Sequence, residues 1–156
     1  MFENVTEEQF AYLAGIIDGE GCVYIGSHSC NKVTKAAYFA HYIQVANSDK
    51  CLIDWLFAVF GGTTAKYTRA QTPKNARKDP YFWKVTGELL TGVCLRTLPY
   101  YVIKRPQVEV MLEMRKTYDQ HPSQRKKVNP NGVQPLSQEL IDLRFSIMHK
   151  LRALRD

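Results

Sequence analysis

Two acids and two glycines close the stretch Leu13-Ala14-Gly15-Ile16-Ile17-Asp18-Gly19-Glu20-Gly21, and their placement suits the capture of a cation. The residues before them read as a helix. Thr6 is the expected N-cap, and Gln9, three positions on, completes a capping box. Phe10, Leu13, Ala14 and Ile17 recur on one face at helical spacing. Tyr12, Gly15, Ile16 and Gly19 make a second apolar face, so this helix should be buried on both sides. Its small residues, Ala14, Gly15 and Gly19, permit very close approach of a second backbone. A turn is expected next, gathering Asp18 and Glu20 at the helix C-terminus. Unpaired carbonyls and the negative end of the helix dipole lie there too. Such a place repels anions and attracts a divalent cation.

The rest of the chain must supply elements that position these acids. Cys22 to His28 alternates, with Val23 and Ile25 on one face and Cys22, Tyr24, Gly26 and His28 on the other. Residues 29–36 read as a turn. A longer strand runs from Ala37 to Ala46, with Phe39, His41, Ile43 and Val45 toward the core. His41 is expected there as a core histidine with a backbone partner. Ser48 should cap a helix over Asp49 to Phe60, with Leu52, Ile53, Leu56 and Phe57 as its stripe. Two strands follow, Thr64 to Ala70 and Tyr81 to Thr86, joined by a polar basic loop at 72–80. A helix over Glu88–Leu98, a break at Pro99 and a helix from about Pro106 to Tyr118 complete the core. Residues 119–136 form a basic connector rich in Pro and Asn. A last helix over 137–154 carries Leu140, Leu143, Ile147, Leu151 and Leu154 on one side. The order describes an α+β domain: one four-stranded antiparallel sheet with helices on one face.

At 156 residues the chain is long enough for one domain with a real core. Its net charge of +6 suggests a polyanionic partner. No apolar run is long enough to span a membrane. The start Met1-Phe2-Glu3-Asn4 has neither a basic n-region nor an h-region, so no signal peptide is expected. Cys22, Cys30, Cys51 and Cys94 include no Cys-x-x-Cys pair and read as reduced thiols. These features together place the protein inside the cell.

The nine residues from Leu13 to Gly21 resemble the LAGLIDADG motif of the homing endonucleases. Ile16 and Ile17 stand at its hydrophobic places, Gly19 at a small-residue place, and Glu20 where most members have Asp. The resemblance implies the αββαββα order over roughly residues 6–118, with the sheet used as a saddle across DNA. The C-terminal helix lies beyond it. The whole of 1–156 is then a single endonuclease domain. Glu20, at the eighth motif position, is implied as ligand of the catalytic Mg²⁺ (or Mn²⁺), helped by the Gly19 carbonyl, and Asp18 as a brace for the turn. Asn47 matches a place where the family often has a water-positioning amide, although it also suits a strand-ending turn. Lys104 matches a lysine that steadies the phosphate or the water network, with Arg105 as competitor; Lys50 could replace a further basic residue. A single motif resembles the homodimeric branch, so Tyr12, Gly15, Ile16 and Gly19 become the dimer interface. The implied activity is hydrolysis of both DNA strands at a long pseudo-palindromic site, by an intron-encoded enzyme of the cytoplasm or an organelle. An intron maturase or a DNA-binding protein that has lost catalysis are the alternatives. The joint presence of Glu20, Asn47 and Lys104 argues against the latter.

The sheet face away from the helices is mixed, aromatic and basic. It carries Tyr24, His28, Tyr38, Tyr42, Gln44, Lys66, Arg69 and Lys84. A two-stranded ribbon fits the major groove, where Gln44 can address adenine, Arg69 and Lys66 guanine or phosphate, and Tyr42 a thymine methyl. Strands of ~9 residues extend about 30 Å. Two such saddles would cover about two turns of DNA, roughly 20 base pairs. The basic runs at 72–78 and 125–127 would add phosphate contacts.

Overall fold

The computed structural model describes residues 2–29, 37–67, 80–120 and 136–155. The elements follow in the order α1 (Glu7–Glu20), β1 (Gly21–Ser29), β2 (Ala37–Asn47), α2 (Lys50–Phe60), β3 (Thr63–Lys66), β4 (Tyr81–Val85), α3 (Gly87–Thr97), a 3₁₀ turn (Leu98–Tyr100), α4 (Arg105–Asp119) and α5 (Gln138–Ala153). The four strands form one antiparallel sheet in the order β1-β2-β4-β3. The αββαββα order with an added C-terminal helix is therefore present. Arg69, Cys30, the 29–36 turn beyond Ser29, the loop at 72–78 and residues 121–135 of the connector lie outside the described residues.

The capping box forms as the sequence predicts, with Gln9 N–H donating to Thr6 and the Gln9 side chain accepting from Thr6 N–H. One correction concerns the far end. No turn separates helix from sheet: α1 runs through Glu20, and β1 starts at Gly21. Gly21 permits this, because a Cβ there would lie 2.7 Å from both Cα and O of Ile17. The acids thus stand in the last helical turn, rigidly joined to the first strand.

Phe10, Leu13, Ala14 and Ile17 of α1 are buried with Val23, Ile25, Phe39, Ile43, Val45, Trp83 and Val85 of the sheet. All helix-packed sheet residues lie on one face, as strand alternation requires. His41 sits on that face half-buried. Its Nδ1 lies 3.0 Å from Phe39 O and its Nε2 3.1 Å from Arg115 Nη1. Because Arg115 can only donate, Nε2 accepts and Nδ1 carries the proton to the carbonyl.

Three local expectations change. Asp49, not Ser48, caps α2, its carboxylate accepting from Cys51 N–H at 2.8 Å. The α2 stripe is Ile53, Leu56 and Phe60, while Phe57 is 49% exposed. On α5, Leu143 and Leu154 are exposed, and Arg144 and Met148 are buried instead. Arg144 is tolerated there because its guanidinium lies 3.7 Å from the Tyr118 ring centroid and donates to Thr117 Oγ1 and O. That helix packs on α4 and β1, and Arg155 just beyond it donates to the Val23 carbonyl. The C-terminal helix therefore braces the core. Cys22, Cys51 and Cys94 are free thiols; burial pushes Cys94 up to about 12. Among the described residues no helix is long and apolar enough to cross a membrane.

Candidate active site and nucleic-acid face

Glu20 projects from the last turn of α1 where that helix enters the sheet, and its carboxylate is exposed. Asn47, the last residue of β2, donates from Nδ2 to Glu20 Oε2 at 2.5 Å. The Asn47 oxygen accepts from Asp49 N–H at 2.7 Å, which fixes the amide orientation. The strand-ending turn expected of Asn47 forms, and its amide also reaches the acid. Asn47 ends a strand in an Asx turn, and that turn aims its N–H₂ at the acid.

Asp18 and Lys104 make a reciprocal clamp between two helix ends. Asp18 Oδ2 accepts from Val102 N–H at 2.7 Å and Ile103 N–H at 3.2 Å, and Oδ1 accepts from Lys104 N–H at 2.8 Å. In return, Lys104 Nζ donates to the carbonyls of Ile17 at 2.8 Å and Asp18 at 2.5 Å. A carboxylate thus meets the positive N-terminus of α4, and an ammonium meets the negative C-terminus of α1. Burial alone would raise the Asp18 carboxyl, but the three backbone N–H groups and the nearby Lys104 charge hold it below the usual carboxylate range. The expectation that Asp18 braces the helix end is met. Lys104 is brought to the same end of α1 as Glu20, with its ammonium on the α1 carbonyls. Arg105 instead pairs with Glu109 one turn along α4, and Lys50 with Asp54 along α2.

α1 is anchored at its other end as well. Glu7 accepts from Tyr100 Oη at 2.6 Å and from Arg96. The helix bearing Glu20 is therefore tied at both ends to the α3–α4 region. Its outer face stays open within this chain. Tyr12 is 57% exposed, and a Cβ added at Gly15 or Gly19 would meet no atom within 4 Å. Ile16 and Leu52 line the same shallow hollow.

The donor set suits a hard cation held partly by the protein. Among the described residues no three His, Cys, Asp or Glu side chains cluster. Glu20 offers one exposed carboxylate, bonded to Asn47 through Oε2, and Lys104 donates to the carbonyls of residues 17 and 18. Magnesium is commonly bound by one or two carboxylates with substrate phosphates and water completing its shell. Glu20 and Gly19 fit that role.

On the sheet's other face Tyr24 and Tyr42, paired across β1 and β2, stack with ring centroids 4.7 Å apart and planes at 20°. Lys84 Nζ lies 5.2 Å from the Tyr42 centroid. Gln44 donates to Tyr67 Oη, a residue the sequence reading passed over although it follows Lys66 in the same basic-aromatic run. Burial first, then Tyr24, raises the Tyr42 phenol, which stays protonated and able to donate. Tyr38 is 54% exposed, and the His28 backbone faces it across the ladder. Tyr24, Tyr38, Tyr42, Gln44 and Lys84 thus share one face. Lys66, expected there, does not: it pairs with Tyr81, which lies with Trp83 and Val85 on the helix-packed face, and Thr63 and Ala65 are the β3 residues that the register puts beside Lys84 and Phe82 instead.

No family model and no curated protein matches the chain. Solved structures do. The homing endonuclease I-CvuI, crystallised with its target in the presence of Ca, superposes at a TM-score of 0.74 and 19% identity, covering 96% of this chain and 83% of its own. The I-SmaMI LAGLIDADG homing endonuclease bound to cleaved DNA matches at 0.69 and 14%, covering 94% of this chain but 45% of its own. Archaeal intron-encoded I-Vdi141I, complexed with DNA, matches at 0.64 and 13%, with 96% of both chains covered. This chain has the LAGLIDADG homing endonuclease fold. Of the nine motif residues, Leu13 to Glu20 close α1 and Gly21 opens β1.

Proposed function

We propose that this chain is one subunit of a homodimeric, site-specific DNA endonuclease that hydrolyses both strands of a long pseudo-palindromic target with Mg²⁺ or Mn²⁺. The observation that carries the proposal is the Glu20–Asn47 pair. It sits where the open α1 face and the basic-aromatic sheet face come together. An exposed carboxylate at that junction lies within reach of both a second subunit and bound DNA.

The open α1 face supports assembly. Gly15 and Gly19 leave room for the same helix of a second copy, with Tyr12 and Ile16 flanking it. I-SmaMI supports this reading independently, because nearly all of this chain matches less than half of that one. A chain with one unit needs a partner to present two. The similar structures support DNA as the substrate: I-CvuI, I-SmaMI and I-Vdi141I are each in complex with it.

A divalent cation at Glu20 and the Gly19 carbonyl would supply a water nucleophile at neutral pH and offset charge on the phosphate. The chain's own residues do the positioning. Asn47 fixes one Glu20 oxygen and leaves the other for the cation. Asp18 locks residues 102–104 to α1, which holds the Lys104 ammonium beside the site and adds positive charge near an incoming phosphate. Lys84 holds the duplex along the sheet.

The direct test incubates the protein with a supercoiled plasmid carrying the DNA that flanks its own gene. Mg²⁺ should give linear product, Ca²⁺ binding without cleavage, and EDTA neither product nor nick. Plasmid left intact under all metals, despite tight DNA binding, would argue for a binding protein on this fold.

A further inference from the structure

We propose, building on the endonuclease reading, that Gly26 is a specificity-determining positioning residue. It lets the Tyr24 side chain lie along β1 with its ring stacked on that of Tyr42, so that the pair offers ring-carbon surface to a thymine methyl in the major groove.

Gly26 lies two residues beyond Tyr24 on β1, so both belong to the same sheet face. The backbone at Gly26 is ordinary extended strand with no positive φ, so conformational freedom does not call for glycine there. Space does. A Cβ built on Gly26 would lie 2.5 Å from Tyr24 Cζ and 2.8 Å from Cε1, and closer still to the hydroxyl. Tyr24 therefore lies along its own strand, over the place where a side chain would begin. Opposite Gly26 in the ladder stands Ala40, so the row beside the two tyrosines is small on both strands. The rings tip into this low row and stack at 20°. Lys84 sits 5.2 Å from Tyr42 and closes the far side of the pair.

A tyrosine standing upright would offer a hydroxyl tip, which accepts or donates to any base edge. A tyrosine laid along the strand, its hydroxyl over Gly26, offers ring carbons. Apolar contact in the major groove distinguishes thymine by its C5-methyl group. The ring is held in place before DNA arrives, so little side-chain freedom is lost on binding. Among the described strand residues the one other glycine, Gly21, meets Ile17 of α1 rather than a ring.

The atoms that Gly26→Ala displaces are the free end of one flexible side chain. The variant should fold, melt close to the wild type and lift Tyr24 off the sheet. The experiment selects a binding site for the wild type from a library of double-stranded oligonucleotides randomised over roughly two helical turns, in Ca²⁺. Each thymine of that site is then replaced by deoxyuridine, which removes only the methyl. The wild type should lose about fourfold in affinity at one thymine per half-site, the worth of one buried methyl. Gly26→Ala and Tyr24→Ala should both bind the thymine and uracil versions alike there. In a Tyr24→Ala background, adding Gly26→Ala should change nothing further. Near-UV circular dichroism should show the loss of the tyrosine pair in each variant. A thymine preference that survives Gly26→Ala, or a Gly26→Ala effect that persists without the Tyr24 ring, overturns the proposal. If the wild type enriches no site at all, the endonuclease reading fails first and this one with it.

Discussion

Replacing Asp18 by Asn tests the clamp that joins the acid-bearing helix to the Lys104 segment. Asp18 accepts three backbone N–H bonds, two at Oδ2 and one at Oδ1. Asn has one acceptor oxygen. If that oxygen faces Val102 and Ile103, its N–H₂ points at the Lys104 N–H, and that bond is lost outright. The two that remain pass from a charged to a neutral acceptor, which roughly halves them. Hydrogen bonds to charged groups contribute about 1.5–3 kcal/mol each, and the partial exposure of Asp18 lowers that range, so the net cost is about 2 kcal/mol. For a chain of this size that is a fall in Tm of roughly 4–8 °C at neutral pH. The pH dependence is more diagnostic. Asp18 titrates lower in the folded chain than its unfolded value of about 3.9. Its contribution is complete above that value and is lost as pH falls through the folded one. The Tm difference between wild type and Asp18→Asn should therefore be constant from neutral pH to about 5 and shrink below about 4. Calorimetric melts of both proteins across this range read it directly. A difference below about 1 °C at pH 7, or one that keeps its size at pH 3, would refute the reasoning.

Glu20→Gln keeps the bond to Asn47 and removes the charge, so cleavage should be almost abolished while DNA affinity in Ca²⁺ stays within a few-fold, measured by plasmid cleavage and gel shift. Lys104→Met leaves the Ile17 and Asp18 carbonyls without their ammonium; single-turnover cleavage should slow by more than tenfold with binding nearly unchanged. A Cβ at Gly15 meets no described atom within 4 Å, so the Gly15→Leu monomer should stay folded by circular dichroism while sedimentation shows loss of dimer and of double-strand cleavage. Lys84→Ala should weaken binding across sequences and lower the log–log salt slope by about 0.9, the loss of one neutralised phosphate.

Much of this arrangement can be read from single residues. The capping box, the glycine-bounded acids and the alternation of β1 and β2 are local patterns, and local patterns survive folding when the core agrees with them. What could not be read depends on contacts between distant residues. Asn47 turns toward Glu20 because β2 ends beside α1, and Lys104 reaches the α1 carbonyls because the 3₁₀ turn brings α4 back to that helix. Sequence spacing contains neither fact. Ser48 and Asp49 are both good caps, and the choice falls to the one whose side chain reaches Cys51 N–H. Arg144 defeated the stripe on α5 because an apolar pattern has no place for a buried cation over a tyrosine ring. Gly26 belongs to an intermediate class. The spacing Tyr-x-Gly on one strand face is visible in the sequence, but the direction in which the ring lies is not.

α1 is where these features meet, and its geometry links assembly to chemistry on the proposed reading. The inner face of the helix is fixed in the core by Phe10, Leu13, Ala14 and Ile17, and both of its ends are tied down. The outer face is then a rigid surface, and a second copy docked on it has its own Glu20 placed by the same constraints. Glu20 lies one residue from Gly19, so the separation of the two acids follows from how closely the helices approach at Gly15 and Gly19. Larger residues there would push the subunits apart and move both acids relative to the two phosphates. Substitutions on this face should therefore change cleavage in proportion to helix separation before they abolish the dimer. A Gly19→Ala dimer with altered spacing between its two cuts would be the most direct sign that helix contact, rather than the DNA, sets the distance between the active sites.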